Sequence, residues 1–143
     1  MKIIFDYNRT LYNPETNSLY FGVIKLLQDL SKNHELFLIS KNEPGREDGL
    51  EKQGIKKYFK KISFVEEKTT DLFKELVQGD KNSFVIGDRV REEIFVGNQL
   101  GFITIWVQQG KFAVELPENL NQEPNYIVKS IDEIKNIISK YEK

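Results

Sequence analysis

The chain opens on an apolar run, Lys2-Ile3-Ile4-Phe5, that stops abruptly on the carboxylate of Asp6, with Asn8 and the hydroxyl of Thr10 close behind. Three further positions have the same character. Ser40 follows the apolar residues 36–39, Lys68 opens a stretch with helical spacing, and Gly87-Asp88 closes the apolar residues 84–86. A carboxylate so placed can act as a nucleophile or hold a hard cation. A hydroxyl can hydrogen-bond an anionic oxygen, and a lysine can neutralise it. Taken singly, each has a plain explanation, because Asp and Ser form turns and cap helices and a lone Lys is usually a solvated charge. It is their conjunction that points to chemistry.

The elements that would position them are legible in the periodicity. Residues 3–5, 36–39, 62–65, 84–86 and 103–107 are short apolar runs rich in β-branched and aromatic side chains, which predicts buried strands. Helical spacing predicts helices over 20–31, 50–59, 72–77 and 90–100, and a last helix over 131–141 after a short strand near 126–128. Gly22, Gly54, Gly79 and Gly101 fall near helix ends or turns, and Pro117 and Pro124 lie in the loop before the last strand. Strands alternating with helices imply an α/β three-layer, Rossmann-like sandwich whose central sheet is mostly parallel and covered on both faces. In such sheets ligands sit beyond the carboxyl ends of the strands, where Asp6, Ser40 and Asp88 fall.

Composition narrows the classes. The 143 residues suit one domain spanning 1–143. Lys plus Arg number 21 against 22 Asp plus Glu, for a net charge of -1, with no basic stripe of the kind that nucleic acid requires. Cysteine is absent, which excludes disulfides and thiolate chemistry and fits a reducing compartment. No stretch has the apolar length of a signal peptide or a membrane helix, so a cytoplasmic protein is expected. A Gly-rich phosphate loop and a dinucleotide fingerprint are both missing. His34 has no partner for a triad and reads as a solvated surface residue. Lys56, Lys57, Lys60 and Lys61 read as a solvated helix face around Tyr58 and Phe59.

The ordered set of Asp6 with Thr10, then Ser40, Lys68 and Gly87-Asp88, resembles the haloacid dehalogenase-like (HAD) superfamily, and the resemblance runs along nearly the whole chain. Gly87-Asp88-Arg89-Val90-Arg91-Glu92-Glu93-Ile94 is similar to the family's fourth motif, and Gly101 to Val107 to the Gly-led strand that follows it. What the resemblance implies is a magnesium-dependent phosphohydrolase or phosphotransferase in which Asp6 attacks phosphorus to give an aspartyl phosphate. Asp6 and Asp88 would supply carboxylates to Mg2+ and Asn8 its backbone carbonyl. Ser40, Lys41, Lys68 and Arg9 would bind the phosphoryl group, Thr10 would brace the nucleophile loop, and Glu93 would support Lys68 or a metal-bound water.

This chain departs from the family's pattern where proton transfer is concerned. The family's phosphatases carry a second Asp at position 8 that protonates the leaving group, and Asn8 cannot do so. A general acid or base contributes roughly 100- to 10,000-fold, so slow turnover is expected. Position 9 is usually Gly, and Arg9 adds a bulky cation beside the phosphate site that could equally bind a phosphate or acidic substrate group or point to solvent. A catalytically inactive HAD-like binding or scaffold protein is the alternative. A haloacid dehalogenase, which also lacks the second carboxylate, is disfavoured by Asp88 and the rest of the phosphate-and-metal set. A receiver domain is disfavoured because residues 62–65 run into Glu66-Glu67 without an acceptor Asp. The segments from Asp6 to Ser40 and from Ser40 to Lys68 leave no room for a cap domain. The site is therefore expected to be open, with a flap over residues 12–20 doing most of the recognition alongside Tyr7 and Arg46. The partner expected is a phosphorylated small molecule or macromolecule, not nucleic acid or membrane. A homo-oligomer is left open, with Phe95, Trp106 and Phe112 as apolar area if exposed.

Overall fold

The computed structural model describes residues 1–78, 80 and 82–142; Gly79, expected near a helix end, lies outside the described residues. Six strands form one parallel sheet: β1 (Lys2–Asp6), β4 (Glu35–Lys41), β5 (Lys61–Val65), β6 (Ser83–Gly87), β7 (Ile103–Val107) and β8 (Tyr126–Val128). Their order is β5-β4-β1-β6-β7-β8. The chain thus winds outward from β1 to one edge, returns to β6 on the other side of β1, and winds to the opposite edge. The crevice at this reversal opens beyond the carboxyl ends of β1, β4 and β6. Five of the strands correspond to the apolar runs of the sequence and β8 to the short strand expected near 126–128. A two-stranded hairpin, β2 (Tyr12–Asn13) with β3 (Ser18–Leu19), occupies the expected flap.

Because side chains alternate along a strand, each apolar run serves two cores. Ile3, Phe5, Leu36, Leu38, Phe84, Ile86, Ile105 and Val107 face α1 (Val23–Ser31) and α5 (Asp132–Ser139). Ile4, Phe37, Ile39 and Val85 face α3 (Thr70–Val77) and α4 (Phe95–Gln99). In α1 the buried positions Val23, Leu26, Leu27 and Leu30 follow the 3-4 spacing that predicted the helix. Thr69 caps α3 by accepting from the Leu72 N–H at 3.3 Å.

Two helices differ from expectation. The helix expected over 50–59 starts earlier, as α2 (Arg46–Gln53), and stops at Gly54, whose φ of 72° reverses the backbone; a 3-10 turn, Lys56–Tyr58, follows. The helix expected over 90–100 is a π turn, Val90–Ile94, running into α4. Its wide Ile94 N–H to Arg89 O bond, 3.4 Å, spans five residues. Trp106, expected as apolar area if exposed, is buried with Val90 and Ile94. No helix among the described residues is long and apolar enough to cross a membrane.

His34, expected to be solvated, is partly buried instead, with its side chain only 6% exposed: its Nδ1 lies 3.1 Å from the Met1 amino group and its Nε2 3.4 Å from Glu142. The turn before β4 folds beneath the start of β1, and the last helix covers it. Burial, followed by the Met1 charge, lowers the His34 pKa and outweighs the opposing pull of Glu142. The unfolded chain therefore binds the proton more readily than the folded one. Stability is expected to fall as pH drops below about 6.5, the ordinary histidine value. Melting temperatures of wild type and His34→Asn measured between pH 5 and pH 8 check this: the variant should show the flatter acid limb.

Candidate active site

Asp6 ends β1, the central strand, and its carboxylate is fixed from two sides. Thr10 Oγ1 donates to its Oδ2 at 3.0 Å, and Lys68 Nζ donates to its Oδ1 at 2.5 Å. Thr10 reaches back because the chain turns tightly after Tyr7, whose carbonyl accepts from the Leu11 N–H at 2.9 Å. Arg9 sits in this turn at φ 62°, a left-handed conformation that glycine adopts without cost. This accounts for the glycine that the resembling family usually carries there. Lys68 also donates to Glu93 Oε1 at 2.8 Å, while Glu93 Oε2 accepts from the Arg89 N–H at 3.0 Å. The π turn places Glu93 there, under the lysine. Asp88 follows β6, and its backbone carbonyl is held by Trp106 Nε1 at 2.8 Å.

Asp6, Asp88 and Glu93 are buried, and they form the one group of three or more metal-type ligand residues among the described residues, with ligand atoms within 4.8 Å of one another. Three carboxylates thus face one ammonium. Burial would pull the Lys68 ammonium down, but Asp6 and Glu93 together hold it well above its ordinary value. Burial and then the charges of Asp6 and Glu93 push the Asp88 carboxyl far up. Burial also raises Glu93, with Lys68 opposing. Three carboxylates against one ammonium leave the cluster short of positive charge, and burial together with this deficit is what raises Asp88. Glu93 holds Lys68 and the Arg89 N–H, while the carboxylates of Asp6 and Asp88 line the cavity side by side, where they could share a hard cation. The buried Asn8 Oδ1 has no hydrogen-bond partner, so the donors are oxygens of the type magnesium takes.

A cavity of about 190 Å³ opens above this cluster, lined by Asp6, Asn8, Lys68, Asp88 and Glu93 on its floor. Its rim is Arg9, Lys41, Glu43, Arg46, Arg89, Glu92 and Phe112. Of the residues singled out from sequence, Asp6, Asn8, Arg9, Lys41, Lys68, Asp88 and Glu93 meet here. Thr10 lies just behind Asp6. Ser40 is buried and absent from the wall: its hydroxyl accepts from Arg46 Nη1 at 2.8 Å and donates to the Lys41 carbonyl at 3.2 Å. The flap is also absent from the wall, since Tyr12 stacks on Tyr7 with ring centroids 5.2 Å apart.

Arg46 stands on the rim as expected, and the side of the rim where the flap was expected is filled by Phe112, from a 3-10 turn after β7, Gly110–Val114. Gln109 ties it to the nucleophile loop by donating to the Arg9 and Thr10 carbonyls at 3.2 and 3.1 Å. Phe112 of this turn lies 4.0 Å beneath the Arg89 guanidinium and 5.7 Å from that of Arg9. A larger groove of about 670 Å³ runs between α1 and α5, but its lining is mainly apolar and includes none of these residues. Size alone does not locate the chemistry.

Residues 68–134 match the family model for HAD-hydrolase-like proteins, somewhat under half of the chain. Among solved structures, the D,D-heptose 1.7-bisphosphate phosphatase of B. bronchiseptica, complexed with magnesium and phosphate, superposes with a TM-score of 0.78 at 10% identity, covering 99% of this chain and 100% of that one. The L-2-haloacid dehalogenase of Xanthobacter autotrophicus gives 0.72 at 9% identity, with 96% and 98% covered. Magnesium-bound YfnB of Bacillus subtilis gives 0.71 at 19% identity over 85% of this chain, which spans only 56% of its length. No curated protein matches the chain. The fold is that of the HAD-like hydrolases, with no cap domain among the described residues. Phosphatase and dehalogenase share it equally, so the chemistry has to be argued from the site.

Gly87 fixes the spacing of that site. A Cβ there would lie 2.3 Å from Glu93 Cγ and 2.6 Å from its Cδ. Gly87→Ala should therefore displace Glu93 from Lys68 and destabilise the protein by about 1–3 kcal/mol, the usual cost of overpacking. Denaturant titration checks the stability, and an unchanged midpoint would remove this account of Gly87.

Proposed function

We propose that the chain is a slow, magnesium-dependent phosphohydrolase or phosphotransferase working through an aspartyl phosphate on Asp6. The observation that carries this reading is the buried Asp6-Lys68-Glu93 relay beside Asp88 at the cavity floor. Magnesium, held by Asp6, Asp88 and the Asn8 carbonyl, would offset the repulsion between the carboxylate and the phosphoryl oxygens.

Thr10 and Lys68 hold the Asp6 carboxylate in one rotamer, so one oxygen can approach phosphorus in line while the leaving oxygen departs. Lys68 stays protonated throughout and remains on the side where negative charge develops. Arg9 and Lys41 extend that positive field over the cavity. Water then attacks the aspartyl phosphate at phosphorus and frees Asp6. Asn8 can neither protonate the leaving oxygen nor take a proton from that water, so substrates with good leaving groups, such as aryl and acyl phosphates, are favoured. The partner is accordingly a phosphorylated small molecule or an exposed phosphoryl group on a macromolecule. Asn8 is also the one observation favouring a second reading, a HAD-like binding protein that keeps the metal and phosphate sites without turnover.

Screening aryl and acyl phosphates with magnesium present or chelated separates the two. Wild type should show metal-dependent hydrolysis, Asp6→Asn none, and Asn8→Asp a rate several times higher. A new carboxylate at position 8 joins a crowded acidic cluster, which raises its pKa toward that of a working acid. Equal rates for wild type and Asp6→Asn would leave the binding-protein reading.

Because burial and the neighbouring carboxylates raise the Asp88 pKa, magnesium binding should also release a proton there. Calorimetric titration of the ion at pH 7 in buffers of different ionisation enthalpy should report release of about one proton, and affinity should rise with pH. A binding enthalpy independent of buffer would contradict this charge balance.

A further inference from the structure

The geometry points to Arg46 as the group that receives the substrate's phosphoryl oxygens, with Ser40 as the residue that positions it. This assignment rests on the reading of the cavity as a phosphate site and names a ligand within it that the sequence pattern assigned to Ser40. Ser40 stands one residue beyond Ile39, which pairs with Asp6 across β1 and β4, so its place in the sheet is right for a phosphoryl contact. Its hydroxyl is nevertheless spent. The one proton goes to the Lys41 carbonyl, and the lone pair facing the site accepts from Arg46 Nη1.

Arg46 is the first residue of α2, and its side chain is 9% exposed and forms part of the cavity wall. The guanidinium is fixed in plane by four partners. Its Cζ lies 5.2 Å over the Tyr7 ring, whose hydroxyl is anchored on Gln53 at 2.8 Å; Nη1 donates to Ser40 Oγ at 2.8 Å and to the Lys41 carbonyl at 3.4 Å; and Nη2 donates to Glu43 at 2.9 Å. With Nη1 committed in this way, the Nη2 and Nε edge of the planar fork is what can offer paired N–H groups, the arrangement that suits phosphate oxygens. Glu43 marks the spot. It also lines the cavity, its side chain is 59% exposed, and it supplies an anionic oxygen to Arg46 from within the chain. An exposed carboxylate in such a pair is weakly held, and a phosphoryl dianion beside magnesium carries more charge with which to replace it.

Binding of inorganic phosphate in the presence of magnesium, followed by titration calorimetry, tests this without requiring turnover. Arg46→Ala should weaken binding about 10- to 100-fold, the range for losing hydrogen bonds to a charged group. Arg46→Lys should recover only part, because an ammonium lacks the fork. Glu43→Gln should tighten binding severalfold by removing the internal competitor. Ser40→Ala should weaken it less than Arg46→Ala does, and the double variant should bind no worse than Arg46→Ala alone, as expected when one residue acts through the other. Binding by Arg46→Ala within twofold of wild type, or a Ser40→Ala loss larger than the Arg46→Ala loss, overturns the assignment while leaving the phosphatase reading intact. If wild type takes up no phosphate, both fall. Should Arg46→Ala not fold by circular dichroism, the Arg46→Lys loss and the Glu43→Gln gain decide: failure to see both overturns the assignment.

Discussion

One ammonium group among three buried carboxylates is the constraint around which the functional end of this sheet is organised. Lys68 Nζ bridges Asp6 and Glu93 with almost no access to water. Removing one partner from such a set would leave an uncompensated charge in a medium that solvates it poorly. Much of the local architecture follows from meeting that condition. Thr69 caps α3 so that Lys68 enters from its amino end, Gly87 clears the space that the Glu93 side chain fills, and the π turn swings that glutamate beneath the lysine. Trp106, by gripping the Asp88 carbonyl, keeps the last carboxylate at the same depth.

The same condition limits what the fold can say about function. A heptose bisphosphate phosphatase and a haloacid dehalogenase superpose on this chain almost equally well. What distinguishes this site is local: a second carboxylate beyond Asp6, at Asp88, an oxygen-rich floor, and a surplus of negative charge that a hard cation can neutralise. Asn8 sits at the one floor position where side-chain and backbone roles divide. Its carbonyl oxygen remains a donor whatever the side chain is, while the carboxamide moves no protons.

Much of this was written in the sequence, and the rest was hidden for physical reasons. The six strands and the positions that end them were legible because a buried parallel sheet demands continuous apolar runs, and a carboxylate closing such a run is conspicuous. The helix expected over 50–59 breaks because Gly54 adopts a left-handed conformation that apolar spacing does not register. The π turn at Val90–Ile94 has the same composition as an α-helix and differs only in which carbonyl the Ile94 N–H finds. His34 is polar and was placed in water, yet chain segments far apart in sequence close over it. Phe112 on the rim, and Gln109 tying its turn to the loop after β1, had no signal as site residues, since their position depends on how a loop after β7 returns across the sheet. Ser40 was expected to bind the phosphoryl group, but it stands behind the cavity wall with its proton on the Lys41 carbonyl.

The strand order has a consequence for how the molecule comes into being. β1 is the first strand of the chain and the middle of the sheet, hydrogen-bonded to β4 on one side and to β6 on the other. Its second partner arises only at Ser83–Gly87, so the pairing that sets Asp88 near Asp6 closes a long loop, and closures of that kind tend to be slow. A growing chain can join β1 to β4 early and bury part of one face, but it cannot assemble the acidic cluster until the later half has been made. The surroundings of Asp6 therefore mature late, in step with the global fold and not as a local event.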